Sequence, residues 1–292
     1  MVIRMGSVGM CVTDIDASVA FAQDVLGLRE VERVGSTVYL TCNERHHELV
    51  LIATDSAGLD HVALQVADGQ ALNDVRARVE RLGGEILPNR ADEAGVAETL
   101  RFASPEGHVY EVFHGIASEE PAKYAHIGVR PRKFAHVTLK TPDISKTEAF
   151  LEEALGFRVS DRMGDAMSWL RCNADHHGIG LVDGAASLHH YAFELEGWSS
   201  LGVLGDLLLS RDLQFIFGPG RHGPGNNLYT YFLDPAGAMV EYMADIQQVD
   251  DEAVHRPGAW PADPLTVNRW GVAPPEVFFQ QEHPLVRAGI PA

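Results

Sequence analysis

The sequence of 292 residues has little cysteine, few basic residues and no long apolar run. Its three cysteines, Cys11, Cys42 and Cys172, are too few and too scattered for a disulfide framework, and they favour a reducing compartment. No stretch approaches the roughly 20 apolar residues of a membrane-spanning helix. The first residues also lack the apolar segment of a secretory signal. We therefore expect a cytoplasmic protein without a membrane partner.

Basic residues are outnumbered by acidic ones, 23 against 41, so the formal net charge is −18. Binding to a phosphate backbone requires a basic surface, and we therefore expect no nucleic acid partner. Hydrophobic residues make up 46 % of the chain, which is enough for a full core. The composition fits an enzyme or binding protein for a neutral small molecule, or for an anion that meets a buried cation.

The chain repeats itself at a nearly constant spacing. Residues 8–15 resemble residues 137–144, an offset of 129, and residues 42–47 (CNERHH) resemble residues 172–177 (CNADHH), an offset of 130. The heptapeptide PEGHVYE ends at residue 111 and its counterpart PAGAMVE ends at residue 241, again 130 apart. A register kept over several blocks indicates two homologous halves, and such a repeat must be recognised before a fold is assigned.

Each half is itself double. Alternating apolar residues at 61–66 predict a strand, residues 71–82 have helical spacing that ends at Gly83-Gly84, and further strands follow near 99–103 and 109–113. The unit is therefore a strand, a helix and about three strands, which predicts an α+β protein. Four such units cover residues 6–54, 58–115, 133–184 and 188–245, and a Pro- and Trp-rich tail after residue 250 is predicted to wrap the surface.

Three side chains in the second half suggest a metal site. His136 begins a strand-like segment, His190 lies in another, and Glu241 ends an apolar strand that follows an Asp-Pro-Ala-Gly turn. Two imidazoles and one carboxylate form the facial triad that holds a non-heme Fe(II) and leaves coordination positions open for O2 and a substrate. Mn(II) is the rival metal, because the same ligands accept it. A single His is more often a core residue than a ligand, so the prediction rests on the three together.

In these motifs the chain resembles the type I extradiol ring-cleaving dioxygenases of the vicinal oxygen chelate (glyoxalase/bleomycin resistance) superfamily, over about residues 5–245. The resemblance implies tandem vicinal oxygen chelate domains, with four βαβββ modules forming two barrel-like sheets. It implies a non-catalytic N-terminal domain at 5–118, a catalytic metal-binding C-terminal domain at 132–248 and a C-terminal tail at 249–292. It also places the metal ligands at the His136, His190 and Glu241 positions.

The resemblance further implies three catalytic side chains. His177, in the Asn-x-x-His-His string, would lie beside O2, and His222, in a Gly-Arg-His turn, would contact the substrate together with Tyr231. Each also has an ordinary interpretation, because His177 could cap a turn, His222 could lie in a surface loop and Tyr231 could be a half-buried strand residue. Alternation along a strand predicts that the neighbours His176 and His189 point away from the site.

The chain departs from the family pattern after the turn histidine. Many members have an Asp three residues later, where it supports that histidine, but this sequence has Gly225. The neighbours Asn226 and Asn227 are the candidates to replace it.

The first half provides an internal comparison. Its counterparts of the three ligands are Ser7, His61 and Glu111, so at most two ligands are present. We therefore expect this half to bind no catalytic metal and to buttress the second half. His47 matches His177 in the repeat but would have no iron to serve.

The resemblance implies extradiol cleavage of a catechol in aromatic compound catabolism. Both atoms of O2 would enter next to the vicinal hydroxyls to give a muconic semialdehyde-type product, with Fe(II) as the metal, O2 as co-substrate and a small aromatic diol as partner. Homo-oligomers are common in the family. Two alternatives stay open, namely another metal-dependent enzyme of the superfamily (a lyase or isomerase) and a non-enzymatic ligand-binding protein. Catechol, alkylcatechols, dihydroxybiphenyl and bicyclic or carboxylated catechols all remain candidate substrates.

Overall fold

The computed structural model describes residues 1–91, 93–118 and 128–288, which form two mixed sheets with helices against them. The strands of the first sheet are β1 (Val2–Val12), β2 (Arg29–Val34), β3 (Thr37–Thr41), β4 (Leu49–Ala53), β5 (Gly58–Val66), β6 (Glu85–Leu87), β7 (Glu98–Ala103) and β8 (Val109–His114). Their order across the sheet is β2-β3-β4-β1-β5-β8-β7-β6. Two helices, α1 (Ile15–Asp24) and α2 (Gly69–Arg81), accompany this sheet.

The second sheet follows the same plan. Its strands are β9 (Lys133–Thr141), β10 (Arg158–Met163), β11 (Met167–Arg171), β12 (Ile179–Asp183), β13 (Ser187–Glu194), β14 (Phe217–Arg221), β15 (Leu228–Leu233), β16 (Met239–Ala244) and the short β17 (Gly258–Ala259). Their order is β14-β15-β16-β13-β9-β12-β11-β10-β17. Helix α3 (Ile144–Phe150) continues into one π-helical turn (Leu151–Leu155), and helix α4 spans Trp198–Ser210.

The strand directions define the modules. In each half the first strands of the two modules pair antiparallel at the centre of the sheet, β1 with β5 and β9 with β13. The last strand of each module pairs parallel with its own first strand, as β4 does with β1 and β16 does with β13. The predicted α+β class and the four βαβββ modules are therefore confirmed. The boundary predicted between the halves, after residue 118, runs into residues 119–127, which lie outside the described residues.

Local sequence explains where the equivalent helices begin. Asp14 precedes α1 and accepts a hydrogen bond from Ala17 N at 3.0 Å, and Asp143 precedes α3 and accepts one from Lys146 N at 3.0 Å. A side-chain acceptor at this position satisfies an amide that has no partner inside the helix. Both caps belong to the repeated Asp-Ile motif, so the repeat preserves the start of the helix as well as the strand before it.

The two halves are joined by buried polar contacts in addition to apolar packing. His108 Nε2 donates to Lys140 O at 2.9 Å, and Tyr242 Oη donates to Leu26 O at 2.5 Å. His108 and Leu26 lie in loops of the first half, whereas Lys140 and Tyr242 lie on β9 and β16 of the second half. The first half therefore supports strands of the second half, in keeping with the buttressing role expected for it.

The tail does more than wrap the surface. It contributes β17, which pairs with β10, and two short helices, α5 (Pro264–Val267) and α6 (Glu276–Gln280). Phe278 in α6 is buried and its ring packs 4.9 Å from the ring of Tyr231 and 5.0 Å from that of His189. The tail therefore closes one side of the second sheet. None of the helices in the described ranges is long and apolar enough to span a membrane.

Candidate metal centre and active-site cavity

Three neighbouring strands bring the predicted ligands together. His136 lies on β9, His190 on β13 and Glu241 on β16, and all three side chains are buried. His136 Nε2 lies 3.2 Å from His190 Nε2 and 3.0 Å from Glu241 Oε2, and His190 Nε2 lies 3.1 Å from the same oxygen. Among the described residues, no other group of three His, Cys, Asp or Glu side chains converges in this way.

These separations are those of ligands around a single ion. Ligand atoms about 2.1 Å from one ion and at right angles to one another lie about 3.0 Å apart. Burial lowers the pKa of His190, which keeps its imidazole neutral. Burial alone would raise the pKa of Glu241, but the adjacent His136 and His190 outweigh it and hold this pKa well below its usual range. Two imidazole nitrogens and one carboxylate are a suitable donor set for Fe(II) or Mn(II).

A neighbouring imidazole orients His190. His189 Nε2 lies 2.9 Å from Phe278 O, which can only accept, so His189 carries its proton there. His189 Nδ1 is then an acceptor for His190 Nδ1, 2.7 Å away, and His190 Nε2 is left with its lone pair towards the centre. The prediction that His189 points away is wrong, because it lines the cavity. A register shift between Leu188 and His190 on β13 breaks the alternation on which that prediction depended.

The turn histidine is held by the tail. His222 Nδ1 donates to Val267 O at 2.6 Å, which leaves Nε2 as an acceptor 2.9 Å from Tyr231 Oη. Tyr231 Oη also lies 2.9 Å from Glu241 Oε2. Burial lowers the pKa of His222 to about 4 and raises the pKa of Tyr231 well above its usual value. The site therefore holds a neutral imidazole and an intact phenol next to the carboxylate ligand.

The main-chain oxygen of Val267 therefore orients His222, which is the role expected of an Asp at position 225. Gly225 has φ +72, and a Cβ there would lie 3.1 Å from His176 Nδ1, so a larger residue would strain the backbone and crowd His176. Neither candidate replacement contacts His222 through its side chain. Asn227 instead donates to Glu241 Oε1 at 3.2 Å, while Asn226 offers its carbonyl to an arginine in the same turn.

His177 lies on the other side of the centre. Its ring centroid is 4.5 Å from that of His136, the side chain is buried, and burial lowers its pKa well below the usual value. Its Nδ1 lies 3.1 Å from His176 Nδ1, so the Nε2 edge of the ring is available to the cavity. The six residues named from the sequence thus meet around one space.

That space is a cavity of about 290 Å³. Outside the polar centre, most of its wall is apolar. Contributors include Met163, Met167, Trp169, Val182, Phe278 and Phe279. None of the lining residues, all within the described part of the chain, is Lys or Arg, and Asp183 adds a negative charge to the wall. The cavity can hold a ring beside the centre but offers no cation to a charged substituent.

In the first half, the position that corresponds to the candidate metal centre contains an internal ion pair. Arg101, the counterpart of Tyr231, is buried and donates to both oxygens of Asp60 at 2.8 and 2.9 Å. Its other terminal nitrogen lies 3.5 Å from Glu111, and His61 Nε2 is 3.9 Å from Glu111. Burial raises the pKa of Glu111 to about 8. A guanidinium supplies the positive charge here, which supports the expectation that this half holds no catalytic metal.

A family model described as the glyoxalase/bleomycin resistance protein/dioxygenase superfamily matches residues 4–112 and 133–242, well over half of the chain. The chain belongs to this superfamily. The two matches correspond to the two sheets, so this is a tandem member with one superfamily unit in each half. The matches exclude the tail, although Val267 and Phe278 of the tail orient two histidines of the centre.

Individual relatives agree with this assignment. A manganese-dependent 2,3-dihydroxybiphenyl 1,2-dioxygenase from Geobacillus genomosp. 3 is 26 % identical over 256 residues, which cover 80 % of this chain and 81 % of the relative. The homoprotocatechuate 2,3-dioxygenase of Arthrobacter globiformis has 26 % identity and a TM-score of 0.89, with coverage of 98 % and 92 %. A Mn(II)-bound glyoxalase from Novosphingobium aromaticivorans has 30 % identity and a TM-score of 0.87, with coverage of 99 % and 97 %. The predicted resemblance to extradiol dioxygenases is confirmed.

Sequence reasoning missed the groups that orient the histidines. The main-chain oxygens of Val267 and Phe278 leave no trace in residue type, because any residue could supply them. The paired His189 and His190 were visible, but only the bulge in β13 reveals that both rings reach the cavity. Arg101 was detectable, since the repeat aligns it with Tyr231 at an offset of 130.

Proposed function

We propose that this superfamily member is an extradiol dioxygenase that uses Fe(II), or alternatively Mn(II), and O2 to cleave a small aromatic diol next to its hydroxyls. The observation that carries the proposal is the convergence of His136, His190 and Glu241 within 3.0–3.2 Å, on a cavity that can admit a ring. The named dioxygenase relatives support it. We further propose a cytoplasmic homo-oligomer, and the absence of disulfides among the three buried cysteines supports the compartment.

His136, His190 and Glu241 would hold the metal. When bound, the metal supplies a common template for the diol and O2 and a route for electrons between them. The carboxylate contributes one negative charge and the imidazoles none, so a divalent ion leaves a net charge of about +1 at the centre. This balance favours a diol that has lost one proton.

His222 and Tyr231 would assist the removal of that proton and hydrogen-bond the substrate oxygens. With its Nδ1–H donated to Val267 O, His222 presents the lone pair of Nε2 and can accept a proton or hydrogen bond. Tyr231, whose pKa is raised well above its usual value by burial, keeps its phenolic hydrogen and can donate to a substrate oxygen. His177, on the opposite side, would take up the remaining proton of the diol at Nε2 and, so protonated, stabilise the negative charge that develops as O2 is reduced, in a site where burial strengthens such an interaction.

The composition of the cavity wall indicates which class of diol can bind. Its apolar residues suit an alkyl or aryl substituent, while a carboxylate would find no Lys or Arg among the lining residues. We therefore propose an uncharged catechol with an apolar substituent as the substrate class. The similarity to a 2,3-dihydroxybiphenyl dioxygenase supports this choice.

A second candidate is a metal-dependent lyase or isomerase. The observation that favours it is the similarity to the Mn(II)-bound glyoxalase over 99 % of the chain. Both candidates require the metal, so metal binding alone does not separate them. Consumption of O2 does, because only the dioxygenase inserts both oxygen atoms into its product.

The decisive experiment mixes protein reconstituted anaerobically with Fe(II) with 2,3-dihydroxybiphenyl in air, and records O2 uptake together with the yellow ring-cleaved product. We expect one O2 per diol. Glu241→Gln should lose bound metal and activity, because a neutral amide replaces the charged ligand. Glu111→Gln is the matched control in the first half and should keep both. Full metal content without O2 uptake for any neutral catechol would overturn the dioxygenase proposal and favour the lyase or isomerase.

A further inference from the structure

A buried chain of polar groups leads from the tail to His177. His177 Nδ1 lies 3.1 Å from His176 Nδ1, and His176 Nε2 lies 3.1 Å from Asp161 Oδ2, in an approach that is off the ideal hydrogen-bond line. Asp161 also accepts hydrogen bonds from Gly258 N and Trp260 Nε1, both at 2.7 Å. The tail therefore holds the carboxylate, which in turn holds His176.

The donors and acceptors in this series of polar groups all point the same way, from His177 towards Asp161. Burial alone would raise the pKa of Asp161, but the contact with His176 and the hydrogen bond from Trp260 outweigh it and leave this pKa below its usual value, so the carboxylate is an acceptor only. His176 then carries its proton on Nε2, and its Nδ1 offers a lone pair. His177 must donate from Nδ1, which leaves its Nε2 as a lone pair on the edge of the ring that is available to the cavity.

We propose that Asp161 and His176 are positioning residues for the O2 steps of the reaction. They fix the ring of His177 and keep the proton on its outer nitrogen, so that Nε2 faces the cavity as an acceptor. This inference rests on the proposed dioxygenase function for its kinetic consequence, but the position of the proton on His177 can be measured without it. It assigns to Asp161 and His176 a role in the centre although neither lines the cavity.

The first half contains an equivalent series of polar groups, next to counterparts that lack one of the three candidate ligands. Glu32 Oε2 lies 3.0 Å from His46 Nε2, and His46 Nδ1 lies 3.0 Å from His47 Nδ1. The repeat aligns Glu32 with Asp161 at an offset of 129. This second copy gives a matched control, because any effect of the contact on folding alone should appear in both halves.

The test compares His176→Leu with His46→Leu. In His176→Leu, His177 Nδ1 loses the acceptor that holds its proton, and an imidazole without such a contact favours its proton on Nε2. We expect kcat/KM for O2 to fall about tenfold to a hundredfold, the range for lost outer contacts of site histidines. The anaerobic dissociation constant of the diol should change less than about twofold. His46→Leu should leave both quantities within about twofold of wild type.

Nitrogen-15 NMR of the metal-free protein provides the readout that does not depend on activity. The wild type and His46→Leu should show the proton of His177 on Nδ1, and His176→Leu should show it on Nε2. The inference is overturned if the proton stays on Nδ1 in His176→Leu, if the O2 kinetics are unchanged, or if His46→Leu has the same kinetic effect. If His176→Leu does not fold, Asp161→Leu, with Glu32→Leu as its control, removes the carboxylate next to the outer histidine in each half and tests the same series of contacts. A wild type that consumes no O2 would refute the proposed function while the NMR result still decides the inference.

Discussion

A carboxylate on the substrate should strongly reduce turnover by this protein. The perturbation is chemical: 4-ethylcatechol and 3,4-dihydroxyphenylacetate have nearly the same shape, but the terminal methyl of the first is a carboxylate in the second. The wall that surrounds a ring substituent includes Met163, Met167, Trp169 and Val182, and it contains no Lys or Arg. Asp183 adds a like charge to the same wall.

The expected penalty follows from burial of an unpaired charge. After relaxation and water penetration, such a charge still costs several kcal/mol in a protein. Because the cavity is partly open to solvent, we take about 3 kcal/mol, the low end of that range. At about 1.4 kcal/mol per tenfold change, kcat/KM should be about a hundredfold lower for the carboxylated diol.

The assay measures initial rates of O2 uptake with each diol under air-saturated conditions. Met167→Lys places a cation in the cavity wall at similar side-chain length, and it should improve the ratio for the carboxylated diol at least about tenfold. Val203→Lys makes the same charge change on an exposed position of α4 and should leave the ratio unchanged. The reasoning is refuted if the wild type converts both diols with kcat/KM values within tenfold, or if both Lys variants have the same effect.

Two further predictions concern stability. Burial lowers the pKa of His108 to about 4, against 6.5 in the unfolded chain, although a hydrogen bond to Lys140 O partly opposes the shift. Below pH 6.5 the unfolded chain therefore binds a proton that the folded protein excludes, and the free energy of unfolding should fall by about 3 kcal/mol between pH 6.5 and 4 on this account. Urea denaturation of His108→Gln should show a shallower loss, and an unchanged pH slope would contradict the assignment. Arg101→Met removes the guanidinium that donates to both oxygens of Asp60, although Arg90 Nη1 stays 3.7 Å from Asp60, and it should lower the free energy of unfolding by about 3 kcal/mol. Its metal content should be unchanged, and a wild-type urea midpoint would show that the ion pair does not stabilise the first half.

The modules and the candidate site residues were predictable from the sequence because both depend on the types of residue and their order along the chain. Strand alternation, helix caps such as Asp14 and Asp143, and a spacing of 129–130 residues reflect local rules that repeat along the chain. His136, His190 and Glu241 were recognisable because two imidazoles and a carboxylate in this order suit one kind of ion. Their catalytic and ligand roles remain predictions to be tested by the variants above.

What supports each histidine depended on the tertiary structure. His222 is oriented by a carbonyl 45 residues away, at Val267, and His190 is oriented through His189 by the carbonyl of Phe278, 89 residues from His189. Any residue can supply a main-chain oxygen, so no pattern of side chains marks these contacts.

The same distinction separates the two halves of the protein. The sequence determined by itself that the chain folds as four repeated modules and that the second half alone carries all three candidate ligands, because these features depend on local pattern and residue chemistry. Only the tertiary structure decided that a buried guanidinium lies among the counterparts of those residues in the first half. It also decided that the tail directs the imidazoles of the second half and that the cavity offers no cation, because these depend on which distant groups the packed chain brings within hydrogen-bond distance.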